Sequence, residues 1–171
     1  ALLRQFFRMG VRYVTLTHNA DNQICDSAAE GRRWGGLSPF GRQVVAEMNH
    51  IGMVIDLAHA SDDTFYDCIR CSKAPVVSTH SCCRALAHHR RNMTDDMLKA
   101  IAAVDGVVQI NFYPVFLSDE FAAELDASGL DAKADAIEDA FIREPWDQDK
   151  YRNWVNVQME LAALKRPSYR R

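Results

Sequence analysis

No stretch of this 171-residue sequence comes near the roughly 20 consecutive apolar residues that a membrane-crossing helix needs. Basic residues are not in excess either. The 20 Lys and Arg stand against 23 Asp and Glu, a net charge of −3, which argues against a nucleic-acid partner. Cysteine is scarce: Cys25, Cys68, Cys71, Cys82 and Cys83 make an odd set of five with one adjacent pair, which is not a disulfide framework. Cys68-x-x-Cys71 has no second pair and falls in a helical pattern, so it reads as structural. This usage favours reducing surroundings, the cytoplasm. Residues 1–10 carry no apolar leader, and any export signal is expected upstream of Ala1. What is present is ordinary for a globular domain: 48% apolar and 25% charged residues.

Strand and helix patterns alternate along the first two thirds of the chain. Leu2–Met9 reads as a helix stopped by Gly10, and residues 11–17 as a β-branched and aromatic strand. Residues 18–37 are polar and Gly-rich and read as a long loop, a frequent place for function. Ser38-Pro39 opens a helix whose apolar face is Phe40, Val44, Val45, Met48 and Ile51, ended by Gly52. A strand at 53–58 follows, then a helix capped by Ser61, a strand at 75–79, a loop at 80–92, and a helix capped by Thr94. Val107–Tyr113 is a fourth strand. The repeat of about 30 residues, with near-continuous apolar strands, implies an α/β fold with a parallel sheet covered by helices. Residues 1–114 form this unit. Residues 115–171 read as two or three helices, with the basic tail KRPSYRR as a loop.

Polar chemistry gathers where each strand ends. The first ends in Thr17-His18-Asn19, the second in His59, the third in His80, and the fourth in Asn111 and Tyr113. Ligand sites of parallel α/β sheets lie at the carboxyl ends of the strands. Neighbouring strands stand about 4.8 Å apart, so two imidazoles at matched ends can reach one metal ion. The same pattern also suits two separately satisfied histidines, or one acid–base residue and a bystander. No third ligand stands at an equivalent strand end. His18 is one strand further away, and Asp56 reads as a support for the ligands or a core-satisfied carboxylate. The loop after His80 carries Arg84, His88, His89, Arg90 and Arg91, guanidiniums suited to a carboxylate or phosphate, or a solvated basic loop.

GVRYVTLTHNADN, GLSPFGRQVVAEMNHIGMVIDLAHAS, APVVSTHSCCRAL, RRNMTDDMLKAI and GVVQINFYP occur in this order. Together they resemble the membrane (renal) dipeptidase family of zinc metallopeptidases, from Ala1 to about Pro114. The resemblance implies a (β/α)8 TIM-type barrel, of which this chain holds about half as four parallel strands, followed by a helical segment. It implies a two-zinc site that hydrolyses dipeptides, often with a D-residue at the C-terminal position. It implies His59 and His80 as ligands of one Zn2+. His18 would contact the substrate and stabilise the tetrahedral intermediate, Arg91 would hold the substrate carboxylate, and Tyr113 would line the pocket.

The family's other metal ligands, a His-x-Asp pair and a bridging Glu on earlier strands, and its acidic strand end late in the barrel, are not in this sequence. The chain is therefore expected to be a fragment, one half-site of the centre, inactive alone. A four-stranded sheet would leave open edges and a bare inner face, which a homodimer could cover. Two other readings stay open: another amide- or lactone-cleaving metal-dependent hydrolase, and an inactive half barrel.

Overall fold

The computed structural model describes residues 2–29 and 32–164. The tail at 165–171, read above as a loop, lies outside them. The chain divides into two compact units between Phe112 and Tyr113.

In the first unit, helices α1 (Leu2–Arg8), α2 (Pro39–Ile51), α3 (Asp62–Cys71) and α4 (Asp95–Ala102) alternate with four strands. These are β1 (Tyr13–Thr15), β2 (Val54–Asp56), β3 (Val77–Ser81) and β4 (Val107–Ile110), all parallel in the order β1-β2-β3-β4. The caps read from the sequence hold. Ser38 Oγ accepts from Gly41 N at 2.9 Å, Ser61 Oγ from Thr64 N at 3.1 Å, and Thr94 Oγ1 from Met97 N at 3.2 Å. Gly52, at φ +75°, takes the left-handed turn that ends α2. Gly41 permits a close approach: a Cβ there would stand 2.0 Å from the Ile24 carbonyl oxygen.

The sheet has two unlike faces. Leu16, Ile55, Leu57 and Val76 pack outward against Val45, Met48, Phe65, Met97 and Ile101 of the helices, forming the core. Tyr13, Thr15, Val54, Val77, Thr79 and Gln109 line the other face, an open concavity of about 650 Å³. The four-stranded parallel sheet with its helices is thus the expected part of a barrel, with the expected bare inner face.

Strand lengths differ from expectation, for local reasons. β1 stops at Thr15 rather than residue 17. Beyond it, Asn22 Nδ2 takes the Leu16 carbonyl at 2.9 Å and Thr17 Oγ1 donates to Ala20 O at 2.6 Å, turning the chain out of the ladder. β3 runs past residue 79 to Ser81, so His80 lies within a strand and not after it. The β3–β4 register shifts between Ser78 and Ser81, and these two hydroxyls meet at 2.8 Å. Such a bulge breaks the alternation of side chains. Ser78 and Ser81 both point to the buried face, and Thr79 and His80 both reach the concave one.

The second unit begins with a 3-10 turn, Pro114–Phe116, followed by α5 (Asp119–Ser128), α6 (Leu130–Arg143) and α7 (Gln148–Ala163). Its core is small: Phe116, Phe121, Leu125, Ala134 and Val157. Phe141 of α6 stacks on Trp154 of α7 with centroids 5.5 Å apart. No described helix is long and apolar enough to cross a membrane.

Candidate active site

His59 sits in the turn after β2 with φ +69°, a left-handed conformation uncommon for residues other than glycine, though histidine adopts it more readily than most. The turn is tied on both sides. Ala60 N bonds Leu57 O at 3.1 Å, and Ala28 N bonds the His59 carbonyl at 2.8 Å. A rigid frame of this kind is needed to hold a sparsely populated backbone, and such residues gather at functional sites. The loop that supplies the frame is itself organised by Asp26, which accepts from Trp34 N at 2.9 Å and Gly36 N at 3.0 Å.

The His59 and His80 rings meet edge to face, with Nε2 to Nε2 at 2.9 Å. Each Nδ1 is engaged on the far side. His59 Nδ1 lies 3.1 Å from Asn19 Oδ1, an acceptor, so it carries the proton. His80 Nδ1 lies 2.8 Å from Thr79 Oγ1. The Thr79 hydroxyl donates to Asp56 Oδ2 at 2.7 Å, so toward His80 it accepts. Both imidazoles are therefore Nδ1–H tautomers, assigned from the network, and both Nε2 lone pairs face one point. Burial first, then the Arg91 charge, lowers both pKa values, that of His59 to about 3, so both rings are neutral.

Two lone pairs aimed at one point suit a cation between them. Around a zinc at about 2.0–2.1 Å, two ligand nitrogens stand about 3.3 Å apart, so the 2.9 Å spacing differs by only a few tenths. The donor set fits a metal, with partners that orient each ring in the manner of metal-site histidines. It is not a whole set. Among the described residues no group of three or more His, Cys, Asp or Glu comes together at metal-holding distance.

Asp56 supports this pair from below. Wholly buried, it also accepts from Thr15 Oγ1 at 2.6 Å, Ala58 N at 3.0 Å and Thr79 N at 3.0 Å. His18 is exposed, with its ring centroid 4.2 Å from that of His59. Arg91 reaches back over β3, with Nη2 3.4 Å from the His80 carbonyl, and burial lowers its pKa to about 10, still cationic at neutral pH. His18, His59, His80 and Arg91 thus lie together. Tyr113 belongs to the second unit, edge to face with Phe116 at 5.4 Å, its pKa raised by burial and by Asp131 and Asp135. The orienting roles of Asn19 and Thr79 were not read from the sequence. Their only signal there is adjacency, in His18-Asn19 and Thr79-His80.

Residues 1–145 match the family model described as membrane dipeptidase, peptidase family M19. The chain belongs to this family. An uncharacterized dipeptidase of Schizosaccharomyces pombe is 46% identical over 119 residues, covering 69% of this chain and 29% of the relative. Dipeptidase aclJ of Aspergillus oryzae is 42% identical over 139 residues, 81% of this chain and 32% of the relative. The chain thus spans about a third of the length of the curated relatives it matches. Two solved structures share the fold. A metallo peptidase from Rhodobacter sphaeroides, liganded with a phosphinate mimic of the dipeptide L-Ala-D-Ala, has a TM-score of 0.64 at 32% identity, over 69% of this chain and 35% of that one. The probable dipeptidase PvdM of Pseudomonas aeruginosa has a TM-score of 0.69 at 25% identity, over 96% of this chain and 46% of that one.

Proposed function

We propose that this chain supplies part of the active centre of a zinc-dependent dipeptidase, with His59 and His80 as two ligands of one zinc ion. One observation carries the reading: two neutral imidazoles present their Nε2 lone pairs to each other at 2.9 Å, on the carboxyl rim of a membrane dipeptidase family sheet. Neutral imidazole is a favoured zinc ligand. Zinc bound there supplies Lewis acidity, activating water and polarising the scissile carbonyl.

The chain's own residues do the rest. Asn19 and Thr79 keep the two Nε2 atoms turned toward the ion. His18, beside His59, is placed to hydrogen-bond the carbonyl oxygen as it gains charge. Arg91 offers a guanidinium to the free carboxylate of a short substrate. Dipeptides with a C-terminal D-residue belong to the proposed class, supported by the L-Ala-D-Ala mimic in the Rhodobacter relative.

The test uses the protein as natively expressed. His59→Ala and His80→Ala are each expected to lose bound zinc and nearly all dipeptide hydrolysis. Full activity in either variant overturns the reading. Turnover of cyclic amides or lactones with dipeptides untouched would move the substrate class instead.

A further inference from the structure

Arg84 makes a set of contacts that the proposed chemistry does not use. Its guanidinium forks onto Asp62, with Nη1 to Oδ2 at 2.7 Å and Nη2 to Oδ1 at 2.8 Å. The same group holds two backbone carbonyls: Nε donates to Asn92 O at 2.8 Å, and Nη2 to Arg90 O at 3.2 Å. Those two carbonyls flank Arg91. The strand-like pairing beneath adds Arg84 N to Met93 O at 2.7 Å and Met93 N to Cys82 O at 2.8 Å.

We infer that Arg84, clamped by Asp62, is the positioning residue that aims Arg91 and thereby sets the preference for substrates with a free carboxylate. The inference rests on the dipeptidase reading above. Its physical basis is geometric. One planar group holds the carbonyls of Arg90 and Asn92, the residues on either side of Arg91, and this restricts the Arg91 backbone and its Cα–Cβ direction. Asp62 neutralises Arg84, so Arg84 acts by holding the loop and not by adding positive field at the rim. Asp62 lies in the first turn of α3, three residues after His59. The clamp therefore ties the turn of one proposed zinc ligand to the loop of the carboxylate-binding residue. The Arg84 side chain is 25% exposed and that of Asp62 47%, and what sets the pair apart from a free surface ion pair is the two carbonyls that the same guanidinium holds. Lysine cannot replace it, because one ammonium cannot fork onto a carboxylate and hold two carbonyls at once.

The experiment compares a dipeptide with its C-terminal amide, on the natively expressed, zinc-loaded protein. The unmutated protein is expected to prefer the free acid, and Arg91→Met to lose that preference. Arg84→Met and Arg84→Lys are expected to raise KM for the dipeptide roughly tenfold to hundredfold, the scale of about 1 Å of misplacement. Their KM for the amide and their zinc content should stay close to the unmutated values. Asp62→Asn should shift the same ratio in the same direction, and it decides the matter if Arg84→Met does not fold. An unmoved acid-to-amide ratio in these variants overturns the inference. So does equal loss on both substrates together with loss of zinc, which marks a general structural role. A separate result, an unmutated protein that does not distinguish acid from amide, overturns the Arg91 reading and the inference with it.

Discussion

At the residue scale the informative group is Thr79. It is one hydroxyl between a buried carboxylate and a ring nitrogen, and its proton can go only one way. Because Asp56 accepts, Thr79 must accept from His80, and the His80 lone pair is left on Nε2. Thr79→Val keeps the shape and removes this relay. It is expected to weaken zinc binding roughly 10- to 100-fold, as loss of an orienting partner does. It is also expected to cost about 1–3 kcal/mol of stability for a buried acceptor left short of a donor. Metal titration and chemical denaturation of the native protein check the two effects separately. The cysteines give a second prediction at this scale. Burial pushes Cys25 up to about 12 and Cys68 well above its ordinary value, and both are fully buried. Both should resist alkylation at pH 8 while the half-exposed Cys71 and Cys83 react, as mass spectrometry of a folded, iodoacetamide-treated sample would show.

At the element scale, Asp67 on α3 joins three pieces of chain. It accepts Leu37 N at 3.0 Å from the loop before α2, Arg42 Nη2 at 2.9 Å from α2, and Arg70 of its own helix. Burial acts to raise its pKa, but the Leu37 amide and the two guanidiniums outweigh it, and the net shift is downward. A carboxyl lowered in the fold contributes stability that is complete above its unfolded pKa of about 3.9. That stability is lost as pH falls through the lower folded value. Asp67→Asn is expected to cost about 1–3 kcal/mol at neutral pH. The gap between variant and unmutated protein should close as the pH is lowered below that range. Thermal melts across a pH series measure it.

At the scale of the whole molecule, the two units are built to different depths. The first has a contiguous core running from Leu16 to Ile101, shared by the sheet and its helices. The second relies on Phe116, Phe121, Leu125, Ala134 and Val157. Local opening is cheapest where few apolar contacts are broken. Amides of α5, α6 and α7 are therefore expected to exchange with solvent faster than those of α2 and β2. Hydrogen exchange by mass spectrometry reads this directly, and equal protection of both units would contradict it.

The sequence by itself determined the alternation of strands and helices, the helix starts, and the placing of His18, His59 and His80 at strand ends on one rim. These follow from short-range rules: apolar periodicity, Ser and Thr caps, and the polarity of parallel strands. Arg91 is singled out among the basic loop residues by the family resemblance. Only the tertiary structure decided how the site is aimed. The left-handed turn at His59 depends on a bond from Ala28, and the bulge at Ser78–Ser81 depends on pairing with β4. The tautomers depend on Asn19 and Thr79, and the setting of Arg91 on Arg84 and Asp62. Apart from Thr79, the chain neighbour of His80, these lack a local signature, because the groups that meet are brought together by the packing of the sheet and not by the residues beside them.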